Sequence, residues 1–301
     1  MDPSNGFHAG EREMQQDAGQ TAIANRNQAV LGNSVALGAR PFIASQSMVV
    51  LGSVDTAGRM WASLLFGQPG FVYAPGATTI RLDVPEHERD LADPLWANLA
   101  GNPQVGMLFI ELGARQRYRV NGRVQRLDAR GAEVAVEQAY ANCPRYIHRR
   151  RLRRLGETTL PVQAAQGSVL RGSVEQIVRQ ADTLFVASRH AGSGADVSHR
   201  GGEAGFVKVI DQTTIRIPDY PGNSLFNTLG NFKLNPHAGL CIPDFVHGQL
   251  LQLTGSAVVV THQDDPDHIT GGTCRYWDFK VDQWVLRDTP QPMEWISLDG
   301  A

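Results

Sequence analysis

The chain has 301 residues, 42 % hydrophobic and 19 % charged, with a formal net charge of −2. That length accommodates two domains with separate cores, and the balance excludes a disordered chain or a whole-chain attraction to nucleic acid or anionic membrane. No apolar run is long enough to span a membrane, the first residues lack a secretory-signal pattern, and Cys143, Cys241 and Cys274 are too scattered for a disulfide framework or metal site, so a cytoplasmic protein is expected.

Residues 1–35 read as an N-terminal helical segment: 11–31 are proline-free and rich in Gln and Ala, with Gly19 as a weak point. Residues 36–155 read as a first domain. The run 48–53, the turn Asp55-Thr56-Ala57-Gly58 and the run 61–66 predict strand, turn, strand. Short strands follow at 71–73 and 79–82, then a helix opened by Asp93-Pro94 and ending near Gly101. Strands at 105–111, 117–121 and 134–136 complete the set. The arginine-rich run 144–155 reads as a solvated basic helix, or as a cluster holding a phosphate at the domain junction. No aromatic platform supports a nucleic-acid patch there. Residues 156–175 break periodicity and read as a linker to a second domain at 176–301. Its predicted strands are 184–188, 206–210, 214–217, 240–242, 250–253 and 277–281, with a short helix between Asn223 and Leu234.

The second domain repeats the first. Gly70-Phe71-Val72 returns as Gly205-Phe206-Val207, and Thr78-Thr79-Ile80-Arg81 as Thr213-Thr214-Ile215-Arg216, each 135 positions on. Farther along the offset is 133: Asn98 meets Asn231, Gly106 meets Gly239 and Gly122 meets Gly255. A repeat of about 130 residues is a domain and not a solenoid unit. Short strands, Gly/Pro turns and one helix per copy predict a mainly β (α+β) chain of two tandem six-stranded antiparallel split β-barrels with short flanking helices.

The copies differ where chemistry is expected. The second has Asp196-Val197-Ser198-His199-Arg200-Gly201-Gly202 where the first has Trp61-Ala62-Ser63-Leu64-Leu65-Phe66-Gly67. A hydroxyl, an imidazole, a guanidinium and glycine amides are suitable donors to a phosphate or a flavin carbonyl, although a hairpin with an exposed basic tip would read the same way. Pro218-Asp219-Tyr220-Pro221-Gly222-Asn223 and Thr228-Leu229-Gly230-Asn231 surround a helix start that exposes amides. The acidic run 264–268 reads as a solvated loop and not a metal site.

With these motifs, and with Asn142-Cys143-Pro144-Arg145-Tyr146-Ile147 closing the first copy, the chain resembles the pyridoxamine 5′-phosphate oxidase-like family of split barrels, in its tandem-barrel branch. The resemblance implies FMN in the groove between barrels. It places Lys208 at the family's phosphate-binding lysine, Asp219 and Tyr220 beside the flavin, and Asn223 in place of a basic phosphate turn. Ser198, His199, Arg200, Thr228 and Asn231 complete the second barrel's wall. The strand carrying Arg117 and Arg119, in Gln116-Arg117-Tyr118-Arg119-Val120-Asn121-Gly122, is the facing wall from the first. With Tyr73 at the position of Lys208, one FMN per chain is expected, along with oxidoreductase action on a small molecule or reductase partner and possible homodimerisation. No catalytic residue stands out. A flavin carrier without turnover, a cofactor-free structural duplicate, and haem or a deazaflavin in place of FMN stay open.

Overall fold

The computed structural model describes residues 6–299. In the first copy, β1 (Met48–Val54), β2 (Met60–Phe66), β3 (Val72–Tyr73), β4 (Thr79–Leu82), β5 (Gln104–Glu111), β6 (Gln116–Asp128) and β7 (Gly131–Ala141) form one antiparallel sheet, in the order β2-β1-β5-β6-β7-β4-β3. Two short strands follow, β8 (Arg150–Leu155) and β9 (Ala164–Gly167). The second copy supplies β10 (Thr183–His190), β11 (Gly194–Gly201), β12 (Lys208–Val209), β13 (Thr214–Pro218), β14 (His237–Asp244), β15 (Gln249–Val260) and β16 (Tyr276–Asp288), and β17 (Met293–Ser297) ends the set. Its main sheet order, β11-β10-β14-β15-β16-β13-β12, is the first order strand for strand. Each curled sheet is thus a split barrel of six main strands plus a two-residue strand, β3 or β12, at one edge.

The repeat extends to pairing register. Met48 opposes Phe66 as Thr183 opposes Gly201, and Gln104 opposes Arg123 as His237 opposes Ser256. Both copies bulge at the same place, between Asn121 and Gly122 and between Thr254 and Gly255. A Cβ on Gly122 or Gly255 would lie 2.0 Å from the partner strand's carbonyl oxygen, so the shared glycine is a steric requirement of the bulge.

Among the described residues six α-helices decorate the sheets: α1 (Ala9–Asp17), α2 (Thr21–Asn27), α3 (Arg40–Ala44), α4 (Leu95–Gly101), α5 (Ser173–Gln180) and α6 (Asn227–Leu234). The expected N-terminal helix is two, because Gly19 takes φ +65° between them. A capping box starts α1: Glu11 N–H donates to the His8 ring, and His8 N–H donates to the Glu11 carboxylate. The basic run is a strand and not a helix: β8 pairs antiparallel with β17, leaving Arg151, Arg153 and Arg154 exposed. Within the stretch read as linker, β9 pairs with β16.

The first barrel closes around Leu51, Ile80, Met107, Phe109 and Val134, and the second around Val186, Ile215, Leu240, Trp277 and Phe279. A third apolar cluster lies between them, with Val50, Leu64, Leu108 and Ile110 of one barrel against Phe185, Val197, Cys241 and Leu250 of the other. Each large side chain buried there contributes about 1.5–3 kcal/mol. Close approach depends on the repeated glycine pair. A Cβ on Gly106 would meet the Ala195 carbonyl oxygen at 2.7 Å, and one on Gly239 the Met60 carbonyl oxygen at 2.6 Å. Since Ala195 is the repeat counterpart of Met60, the barrels are related by a pseudo-two-fold axis, and β8 and β17 extend that relation as a ribbon.

Candidate functional site

The pseudo-symmetry creates two equivalent clefts, one where β11 faces β6 and one where β2 faces β15. Alternation along a strand puts Arg117, Arg119 and Asn121 of β6 on one face, toward Asp196, Ser198 and Arg200 of β11. Arg119, 4 % exposed, donates to Tyr140 Oη at 2.7 Å, to Asp196 at 3.2 Å and to Ser198 Oγ. Asp196 also accepts from Asn121 at 2.6 Å and from Asn231 at 2.8 Å. Ser198 and Thr228 hydroxyls share a 3.0 Å hydrogen bond. On the opposite wall Arg275 donates to Asp219 at 3.1 Å.

Those pairs use both carboxylates, leaving Arg117 and Arg200 without a carboxylate contact among the described residues. Arg117 reaches only the His199 ring at 3.4 Å and the Arg145 carbonyl at 3.3 Å. Arg200 donates to the His199 carbonyl at 3.2 Å and feels Asp219 through space. Burial pulls the Arg117 pKa down to about 10, and that of Arg200 is lowered for the same reason. Burial, with the neighbouring Arg117 and Arg200, holds His199 well below the ordinary histidine value, so its ring is neutral. The Nε atoms of Arg117, Arg119 and Arg200, His199 Nε2 and Asn142 Oδ1 are buried without a hydrogen-bond partner. Unpartnered donors are costly in a dry cleft, and an anion would satisfy them.

The mouth is framed by loops. Tyr146 and Tyr220 stack with centroids 4.8 Å apart, and Tyr146 Oη donates to the Pro221 carbonyl at 3.0 Å. Ser224 and Phe226, on the loop entering α6, take φ +63° and +61°, conformations that non-glycine residues adopt at some cost. The Arg275 guanidinium stands 5.2 Å from the Phe226 ring centroid.

Of the residues singled out from sequence, Arg117, Arg119, Ser198, His199, Arg200, Asp219, Tyr220, Asn223 and Thr228 line this one cleft. Asn231 lies beneath the floor, bonded to Asp196 and Ser188. Lys208 is not there. It is exposed on β12, the edge strand, opposite Arg216, so the phosphate role implied for it is corrected. Sequence reasoning missed Arg275 and Asn227; Arg275 meets Asp219 from 56 positions away, and no local motif marks such a pair.

The equivalent cleft is already satisfied from within. Leu64 and Leu65 replace His199 and Arg200, and Leu250 and Gln252 replace Arg117 and Arg119. Arg287, 2 % exposed, donates to Asp90 at 2.6 Å, to Asp93, and to Gln252 at 3.0 Å. Ser63 donates to Asp93 at 2.6 Å. Two carboxylates occupy the partners of this arginine.

Among the described residues there is no metal-binding cluster and no helix long and apolar enough to cross a membrane. Residues 38–166 match the family model described as pyridoxamine 5′-phosphate oxidase. No curated protein matches the chain. Similar solved structures include HupZ of Group A Streptococcus, at 13% identity over 42% of this chain and 92% of that one, with a TM-score of 0.28. A FAD-binding protein of Mesorhizobium loti is similar at 10% identity over 42% and 98%, with a TM-score of 0.29. A pyridoxamine 5′-phosphate oxidase-related, FMN binding protein of Nostoc punctiforme is similar at 8% identity over 43% and 97%, with a TM-score of 0.29. The first barrel, within residues 38–166, is thus similar to the pyridoxamine 5′-phosphate oxidase family, and the second barrel repeats its strand order and register.

Proposed function

We propose that the chain is a flavoprotein holding one FMN in the β6/β11 cleft, and that it acts as an oxidoreductase on a small molecule or a reductase partner. The observation that carries this reading is the pair of half-buried guanidiniums, Arg117 and Arg200, each with a buried, unpartnered Nε, beside a neutral His199. Two positive charges without a direct carboxylate contact match the charge of a phosphate monoester, and the donor set fits its oxygens. FMN when bound would supply the electron-transfer chemistry. The chain's part is to position and to exclude water: Arg119, fixed by Asp196 and Tyr140, presents donors from the floor, and the Tyr146–Tyr220 pair narrows the mouth.

The test is purification followed by visible absorbance and FMN release on denaturation. A yellow protein releasing FMN supports the reading; a colourless protein that takes up no added FMN contradicts it. Oxidation of NAD(P)H by the loaded protein then separates an oxidoreductase from a flavin carrier.

A further inference from the structure

The N-terminal arm belongs to one cleft only. Its helix α1 crosses α6 so closely that a Cβ on Gly10 would lie 2.1 Å from the Gly230 carbonyl oxygen. Gln15 donates to the Leu225 carbonyl at 3.2 Å and Asn27 to the Asn223 carbonyl at 2.8 Å, so the arm grips the loop that carries Ser224 and Phe226. Through α1 it also delivers a carboxylate beneath the pocket. Glu11, 5 % exposed, accepts from Asn227 Nδ2 at 2.6 Å and from His8 N–H at 2.9 Å. Asn227, which lines the cleft, accepts from Tyr140 Oη at 3.2 Å, and Tyr140 accepts from Arg119 at 2.7 Å. Glu11 is thus connected by three successive hydrogen bonds to the floor arginine.

The groups facing Glu11 are known from each packed element. His8, at the start of α1, stacks on His190 of β10 with centroids 4.2 Å apart. Asp196 comes from β11, Arg119 from β6, Tyr140 from β7 and Asn227 from α6. Burial, with Asp196 nearby, raises the Glu11 pKa to about 7, and burial lowers that of His8 to about 4, so His8 is neutral and gives Glu11 no counter-charge. Arg119 therefore has one directly bonded carboxylate partner, Asp196, and through the hydrogen-bond chain a second acidic group whose charge depends on protonation.

We propose that Glu11 is a proton-coupled positioning residue of the cleft, taking a proton from solvent when a phosphate-bearing ligand enters and so removing a negative charge from beneath it. The proposal rests on the β6/β11 cleft being the phosphate site. Added negative charge favours the protonated carboxyl, and by linkage the protonated carboxyl favours the ligand. Affinity must then fall as pH rises past neutrality.

The experiment measures dissociation constants of the full chain for FMN and, separately, for inorganic pyrophosphate from pH 6 to 8.5, in the wild type and in Glu11→Gln. The expected wild-type result is a loss of about tenfold in affinity across that range, within the span typical of coupled sites. Glu11→Gln, permanently neutral, should stay tight at pH 8.5, with only the ligand's own titration left in its profile. Calorimetry in two buffers of different ionisation enthalpy should show proton uptake on binding that disappears in the variant. Parallel pH profiles for wild type and variant overturn the proposal. Pyrophosphate binding with the expected profile but no FMN binding sinks the flavin reading and keeps this one, and failure to bind either ligand overturns both.

Discussion

Arg117 and Arg200 are the residues on which the cleft depends, because each brings a half-buried positive charge that, among the described residues, no carboxylate contacts. A hydrogen bond to a charged group is worth about 1.5–3 kcal/mol. Arg117→Ala or Arg200→Ala is therefore expected to weaken FMN binding by about 10- to 100-fold, while Lys208→Ala, on an exposed edge strand, changes it little. Fluorescence titration checks the contrast, and a large effect at Lys208 would restore the role the resemblance implied. A second prediction concerns stability. Glu11 has its folded pKa raised to about 7, so its contribution is full in acid and lost as pH rises through 7. His8 has its folded pKa lowered to about 4, so its contribution is full near neutrality and lost as pH falls through 4. Between pH 4.5 and 6.5 these slopes oppose one another. Glu11→Gln leaves only the His8 slope, so the difference in Tm between variant and wild type should grow across that interval; a constant difference would contradict the assignment.

Among the elements, the strands that join the barrels are held by close backbone approach. Gly106→Val or Gly239→Val places a side chain against backbone 2.7 or 2.6 Å away. Either should cost about 1–3 kcal/mol, read as a lowered Tm, whereas Gly76→Ala, with open space around it, should be close to neutral. Equal Tm values would mean that the barrels do not dock through β5 and β14. The repeat made most of this architecture legible, because Gly106/Gly239 and Gly122/Gly255 recur at a constant offset for a steric reason. What escaped depended on distant partners. β8 looked like a basic helix since arginines occupy both phases of its alternation, and it is a strand because β17 pairs with it from the other end of the chain. The strand expected at 206–210 shrinks to Lys208–Val209 because only β13 pairs with it. The helix expected between Asn223 and Leu234 begins at Asn227, since Phe226 is left-handed. At the site, local strings such as Ser198-His199-Arg200 were visible, whereas Arg275, Asn227 and the arm enter through tertiary contacts alone.

For the whole molecule, a symmetric frame carries two unequal clefts. One has unsatisfied arginines and the N-terminal arm. In the other, Asp90 and Asp93 already bind Arg287. Asp93→Asn, which leaves Asp90 on Arg287 but removes a charged hydrogen-bond partner, should destabilise by about 1–3 kcal/mol without altering ligand affinity at the β6/β11 cleft. Denaturant unfolding beside a binding titration checks both halves. On the proposed reading, the division of labour between the barrels leaves one cofactor site per chain. Equilibrium dialysis of the full chain against FMN tests it most directly. The expected result is one FMN per chain in the wild type and strongly weakened binding in Arg200→Ala. Two FMN per chain, or full retention in that variant, would contradict it.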